Sequence, residues 1–333
     1  MRICIFGAGA IGGNIAGRLH KAGVTPAIVA RGAHLAAIQA NGLEVRYADG
    51  DVQAVKARAS DDARDLGPQD LVIVTAKAPA LPSVAAGIGP LLGPETAVLF
   101  VMNGIPWWYF QNHGGPHDDR RLAKLDPGDA LRRAVAPERV IGGTIYSSCS
   151  VVRPGVVEVT SSINRLILGE PTGAATPRVE AIAKLLAAGG IAAPVTRDIR
   201  DAVWTKLISN FSSGPLAALT QSNFKTLFAE EVCRDAVRRT VAEGVAIAAA
   251  MGRRAEADAE DILKRLSPSA HKPSILQDLE LGRPMEVDAI YTVPLEMARL
   301  AGLATPTLDL LVGLLKLRAA SAGLYGGSPG TGA

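Results

Sequence analysis

Arg2-Ile3-Cys4-Ile5-Phe6-Gly7-Ala8-Gly9-Ala10-Ile11-Gly12 is the stretch whose reading decides the fold. Residues 2–6 are a short apolar run of the kind that forms a buried strand. Glycines then fall at G-x-G-x-x-G spacing, and residues 10–22 read as a helix closed by Gly23. A strand passing through glycines straight into a helix opens a βαβ unit. In that setting Gly7 permits the tight turn, and Gly9 leaves no side chain in the way of a pyrophosphate. Gly12 lets the helix lie close on the sheet, and the positive helix end attracts the anion. Gly7, Ala8, Gly9, Ala10, Ile11 and Gly12 are therefore read as a dinucleotide cradle. The competing reading is a glycine-rich turn with no ligand.

Outward from this loop the first half keeps alternating strands and helices. Residues 25–30, 70–75 and 97–102 read as strands, and residues 140–152 and 156–168 as β-rich stretches with Pro154-Gly155 as the turn between them. Residues 70–75 are almost continuously apolar, as a strand covered on both faces must be. After about residue 196 the pattern turns helical, with helices expected over 200–211, 230–251, 257–266, 274–281, 286–301 and 307–320. The fold class read from this is α/β: an N-terminal Rossmann-type doubly wound sheet with a C-terminal all-helical domain. The expected boundaries are 1–196 for the dinucleotide domain and 197–322 for a helical substrate and dimerisation domain, with ligands in the crevice between them. The Gly/Ser/Pro-rich tail 323–333 is expected to be disordered.

Bulk properties exclude several classes. Of 333 residues, 48% are hydrophobic and 20% charged, a globular balance incompatible with general disorder. The net charge of +3 is spread along the chain without a basic block, so no nucleic-acid partner is expected. Cys4, Cys149 and Cys233 are far apart and lack metal-ligand spacing, which suits buried thiols in a reducing, cytoplasmic setting. The apolar run 241–251 is short and broken by Glu243 and Gly244, so no membrane partner is expected. The five histidines are scattered, and no metal site is expected. Helices 230–251 and 307–320 could pack between subunits of a homodimer or serve as internal core.

The second strand ends in Val29-Ala30-Arg31-Gly32, where an Asp or Glu would hold the ribose 2′-hydroxyl of NAD. Arg31 instead suits a 2′-phosphate, because a guanidinium offers forked donors to phosphate oxygens. The expected cofactor is NADP(H), with a solvated loop arginine as the alternative. Lys77 and Asn103 both stand just beyond carboxyl ends of strands, where α/β sheets place their ligand sites. In Trp204-Thr205-Lys206-Leu207-Ile208-Ser209-Asn210, Lys206 and Asn210 are four apart and share one helix face. Ser274 and Glu286 flank Leu276-Gln277-Asp278 and the turn Gly282-Arg283-Pro284.

Together these motifs resemble the ketopantoate reductase (2-dehydropantoate 2-reductase) family over nearly the whole chain. The likeness runs through Val74-Thr75-Ala76-Lys77, Met102-Asn103-Gly104, Trp204-x-Lys206-Leu207-x-x-Asn210, Ser274-Ile275-Leu276-Gln277-Asp278 and Glu286-Val287-Asp288. The resemblance implies NADPH-dependent reduction of 2-dehydropantoate to (R)-pantoate in pantothenate and coenzyme A synthesis. It implies that the catalytic residues are Lys206, the general acid, Asn103, which orients the carbonyl and also contacts the cofactor, and Glu286. It places Asn210 and Ser274 on the substrate, Glu286 on substrate and nicotinamide ribose, Lys77 on cofactor and substrate, and Arg31 on the 2′-phosphate. The residue types suit the chemistry: hydride delivery to a ketone builds negative charge on oxygen, and a lysine can stabilise that charge and then protonate it.

Two motifs depart from the family pattern. Gly214 stands where a second, hydroxyl-binding asparagine is common, and Tyr291-Thr292 stands where Asn-Gly is frequent. Ile105-Pro106-Trp107-Trp108-Tyr109-Phe110 is also unusually bulky and leads into a charged stretch, 113–133. The aromatic run is either loop-packing core or a pocket wall or lid that changes substrate size preference. The alternatives to ketopantoate are another 2-keto acid, carbonyl or imine, or a non-enzymatic NADP-binding sensor.

Overall fold

The structure, a computed structural model, describes residues 1–326; residues 327–333, the greater part of the expected disordered tail, lie outside the described residues. The chain forms two compact units, one of Met1–Met102 with Trp107–Ile199, the other of Asn103–Pro106 with the chain from Arg200 onward.

The first unit contains strands β1 (Ile3–Phe6), β2 (Ala27–Val29), β3 (Leu43–Tyr47), β4 (Val52–Val55), β5 (Ala59–Ser60), β6 (Gln69–Val74), β7 (Leu92–Val101), β8 (Val140–Tyr146), β9 (Cys149–Arg153), β10 (Val156–Val159) and β11 (Arg165–Gly169). Its helices are α1 (Ala10–Lys21), α2 (Gly32–Asn41), α3 (Leu81–Gly87), α4 (Ala130–Ala134) and α5 (Pro177–Ala188). Seven strands form one sheet in the order β11-β8-β7-β6-β1-β2-β5, parallel except for β11. Strand order reverses between β1 and β6, so the carboxyl ends there open a crevice above the glycine loop. One row of the sheet runs Ile28, Ile5, Ile73, Leu99, Ile141 across five strands, and all five side chains are fully buried. This is the doubly wound α/β sheet read from the sequence.

A second, four-stranded sheet, β4-β3-β10-β9, was not anticipated. The single β stretch read over 140–152 divides at Ser147-Ser148: β8 stays in the large sheet, and β9 pairs with β10 in the small one. Helix α1 packs on this small sheet as well, because its glycines remove the obstructing side chains. A Cβ on Gly13 would stand 2.6 Å from Val157 Cγ2, and one on Gly17 2.5 Å from Tyr47 Oη. The glycine spacing in α1 therefore serves two interfaces.

The aromatic run proves to be core. Trp107, Trp108, Tyr109 and Phe110 are all buried. Trp108 lies over Gly142 in β8, where a Cβ would come within 2.6 Å of its ring. The charged stretch beyond it ends in α4, whose first-turn amides are capped by Asp126: Leu131 N donates to Oδ1 at 2.7 Å and Arg132 N to Oδ2 at 3.0 Å.

The second unit is helical: α6 (Ile199–Thr220, whose first residue belongs to the first unit), α7 (Phe224–Leu227), α8 (Glu231–Ala250), α9 (Ala259–Leu266), α10 (Ser274–Glu280), a π-helical stretch (Asp288–Thr292) leading into α11 (Val293–Leu300), and α12 (Pro306–Ser321). Helix α8 packs against α9, α11 and α12. Helix α6 runs nine residues beyond the expected end at Phe211 and passes through Pro215. Proline removes one intrahelical donor, while Ser212 and Ser213 hydroxyls donate back to Ser209 O at 3.2 and 3.0 Å. The described part of the tail is engaged, with Tyr325 Oη donating to Asp288 Oδ1 at 2.8 Å.

Candidate active site

In the first unit, Gly7 adopts φ +100°, a conformation open to glycine, and Thr75 Oγ1 donates to its carbonyl at 2.5 Å. Gly12 lies so close beneath this turn that a Cβ would stand 2.2 Å from Gly7 O and 2.5 Å from Thr75 Oγ1. A Cβ on Gly9 would meet nothing within 4 Å. Gly12 is thus required by the protein's own packing, whereas the bareness of Gly9 faces open space that a ligand can fill. Gly9 is also the N-cap of α1 and supplies no side-chain cap, and the first turn carries no acidic residue. The orphan amides of that turn are left for an anion. These features fit a dinucleotide phosphate.

The loop is braced from a direction the sequence did not disclose. His34, in the first turn of α2, lies 2.7 Å from Ala8 O through Nε2, and Gly155 N donates to its Nδ1 at 3.0 Å. Because Nδ1 accepts, Nε2 carries the proton and donates to the Ala8 carbonyl. Its signal in the sequence was absent, since a lone histidine in a scattered set has no spacing to read. Arg31 is exposed at the N-cap of α2, and Lys77 is exposed just past β6.

In the second unit, Lys206 Nζ donates to Asn103 Oδ1 at 2.6 Å. Two residues 103 apart in sequence are brought together, and the bond sets the asparagine amide so that its NH2 group points away from the ammonium. The 103–106 segment is held in place by its backbone. Gly104 takes φ +78°, a Cβ there would stand 2.4 Å from Ala289 O, and Ile105 N donates to that same carbonyl at 2.8 Å. On α6 the neighbouring face is tied down: Thr205 Oγ1 accepts from Glu256 N at 3.0 Å, and Arg265 Nη2 donates to Ser209 Oγ at 2.9 Å. This leaves Lys206 and Asn210 as the adjacent pair on the face towards Asn103.

Glu286 is 5% exposed and stands two residues before the π-helical stretch, its carbonyl accepting from Ile290 N at 3.4 Å. Ser274 is the exposed first residue of α10, next to Ile275, whose Cγ2 points towards Gly214. The structure therefore gathers Asn103, Lys206 and the Ala289 turn by direct contact, with Asn210 one helical turn along α6. Tyr291 was noted in the sequence only as a departure from pattern; its hydroxyl lies 2.4 Å from where a Cβ on Gly214 would stand. Among the described residues, no group of three His, Cys, Asp or Glu side chains could hold a metal ion, and no helix is long and apolar enough to cross a membrane.

Comparison with known proteins places the chain in a family. Residues 3–173 match the family described as Ketopantoate reductase PanE/ApbA, and residues 198–319 match its C-terminal counterpart. The chain is 42% identical to a 2-dehydropantoate 2-reductase of Mesorhizobium japonicum, over 98% of this chain and 100% of the relative. The solved 2-dehydropantoate 2-reductase of Geobacter metallireducens superposes with a TM-score of 0.84 at 30% identity, covering 95% of this chain and 99% of its own. A D-mandelate dehydrogenase solved with NADH and anilino(oxo)acetate shares the fold at TM-score 0.82 and 22% identity, with 98% and 100% coverage. The chain is an oxidoreductase and belongs to the ketopantoate reductase family.

Proposed function

We propose that this protein reduces the 2-keto group of 2-dehydropantoate to (R)-pantoate with NADPH, as a cytoplasmic step in pantothenate and coenzyme A synthesis. The observation that carries the reading is the Lys206–Asn103 hydrogen bond of 2.6 Å. An ammonium held by a neutral amide is a proton donor with a fixed direction, which is what a developing alkoxide needs. NADPH, when bound, supplies the hydride. Lys206 then stabilises charge on the keto oxygen and transfers the proton from Nζ, while Asn103 keeps the ammonium aimed. Asn210 and Ser274 bind the substrate, with the exposed Ser274 hydroxyl suited to the carboxylate. Glu286 accepts from a substrate or ribose hydroxyl. On the cofactor side, the Gly7–Gly12 loop takes the pyrophosphate, exposed Arg31 the 2′-phosphate, and Lys77 contacts cofactor and substrate.

Three free thiols support a reducing compartment. A homodimer is supported by the apolar side chains that α12 leaves in solvent, Leu310, Leu314 and Leu317 at 62%, 43% and 69% exposure.

The test is oxidation of NADPH by the purified protein with 2-dehydropantoate, run beside NADH and other 2-keto acids, an aryl one among them. Lys206→Ala is expected to lower kcat by about a hundred- to ten-thousand-fold while NADPH still binds. Unchanged turnover in that variant would remove Lys206 from the chemistry. The Gly214 and Tyr291 departures favour a second reading, in which the same machinery acts on a different 2-keto acid. In that case turnover would appear with another member of the panel and not with 2-dehydropantoate.

A further inference from the structure

Helix α6 presents Lys206, Asn210 and Gly214 at successive steps of four, so the three share one ribbon of its surface. The first two carry functional groups, and the third carries none. The space beside it is nevertheless filled. Tyr291 reaches in from the π-helical stretch and puts its hydroxyl 2.4 Å from the place a Cβ on residue 214 would take. A side chain at 214 and the phenol at 291 therefore exclude each other, and the two departures noted separately in the sequence are one arrangement. The same π-helical stretch fixes the other end of the ribbon, since its Ala289 carbonyl accepts from Ile105 N beside Asn103. An extra residue in a helical turn is a common device for aiming a functional side chain.

We propose that Tyr291 is a specificity-determining residue that closes the substrate site beyond Asn210. Its hydroxyl donates to a hydroxyl at the far end of a 2-keto acid, in place of the side chain that position 214 lacks. The proposal rests on the reading that Lys206 protonates the keto oxygen of such a substrate. The ring is buried, and burial together with the negative charge of Glu286 holds the phenol above its ordinary pKa. Tyr291 is thus a neutral donor, and Glu286 a complementary acceptor for the same hydroxyl.

The experiment compares wild type and Tyr291→Phe on 2-dehydropantoate and on its deoxy counterpart, 3,3-dimethyl-2-oxobutanoate, with NADPH affinity measured alongside. Wild type is expected to favour the hydroxylated substrate. The variant should lose about ten-fold or more in kcat/KM on it, mainly through KM, because a hydrogen bond to the substrate is missing. Turnover of the deoxy substrate and NADPH affinity should stay within about two-fold. Equal losses on both substrates, or an undiminished preference for the hydroxyl, would overturn the proposal while leaving the function at Lys206 standing. Wild type that reduces neither substrate would overturn that function and the proposal with it. Gly214→Asn tests the shared space independently. It should lower Tm by colliding with the phenol, and adding Tyr291→Ala should recover the loss; a Gly214→Asn protein as stable as wild type would overturn the arrangement.

Discussion

Arg31 is the single residue on which the proposed choice of NADPH over NADH turns. It ends the second strand, no carboxylate stands beside it, and it is exposed at the N-cap of α2. Charge-assisted hydrogen bonds to phosphate are worth about 1.5–3 kcal/mol. Arg31→Ala should therefore weaken NADPH binding by about ten- to a hundred-fold and leave NADH binding almost unchanged, as measured by nicotinamide fluorescence titration. Equal effects on the two cofactors would mean the guanidinium does not read the 2′-phosphate. Arg31 was singled out by its place past the second strand, and Lys206 and Asn103 by motifs that resemble the family, each motif a short run of neighbouring residues. His34 and Tyr291 were not legible, since their partners lie 26 and 77 residues away and the pairing exists only after folding.

At the scale of elements, glycines divide into those the chain needs for its own packing and those that face open space. Gly12→Ala would drive a Cβ to 2.2 Å from Gly7 O, whereas Gly9→Ala would meet nothing within 4 Å. The first variant should lose stability by about 1–3 kcal/mol and the second should melt as wild type does, yet both should bind NADPH poorly. Thermal melts and NADPH titration of the pair separate the two roles. A second example lies in α8, where Glu243 and Gly244 interrupt an apolar run. Glu243 accepts from Thr307 N at 2.9 Å and Leu308 N at 2.8 Å, capping α12, while Gly244 admits the ring of Phe211 from α6. Gly244→Ala would place a Cβ 2.2 Å from Phe211 Cζ. Overpacking of about 1–3 kcal/mol should outweigh the helix-propensity gain of up to about 1 kcal/mol. A lowered urea midpoint is the expected result, and a raised one would show that the ring can yield.

For the whole molecule, alkaline pH is the sensitive side. Cys4 is fully buried in β1, and burial pushes its thiol from 9.0 up to about 12. A folded thiol that resists ionisation costs nothing while the unfolded thiol is also protonated, below about pH 9. Above that the unfolded chain gains charge that the folded chain cannot match, and stability falls as pH rises towards 12. From pH 8 to 10.5 the loss attributable to Cys4 is on the order of 2 kcal/mol. Tyr47, buried in the small sheet beneath α1, shifts in the same direction, chiefly through desolvation. The urea midpoint of Cys4→Ala should thus fall less steeply over this range than that of wild type, whatever constant penalty the smaller side chain adds. Parallel slopes would mean that Cys4 is not the source.

The sequence by itself determined the doubly wound sheet, the helical second half and the glycine loop, and its ordered motifs carried the resemblance that nominated the candidate catalytic residues. The first three are local patterns: an apolar run, a helical period, or glycines at a fixed offset from a strand end. Only the tertiary structure decided the small sheet, because β3 and β10 pair across more than a hundred residues and nothing in either short strand names its partner. It likewise decided that the aromatic run is core, since burial of Trp108 depends on a missing Cβ at Gly142. The joining of Gly214 with Tyr291 has the same cause. Which side chain fills a space is a property of close packing between distant segments, and close packing leaves no period in the chain.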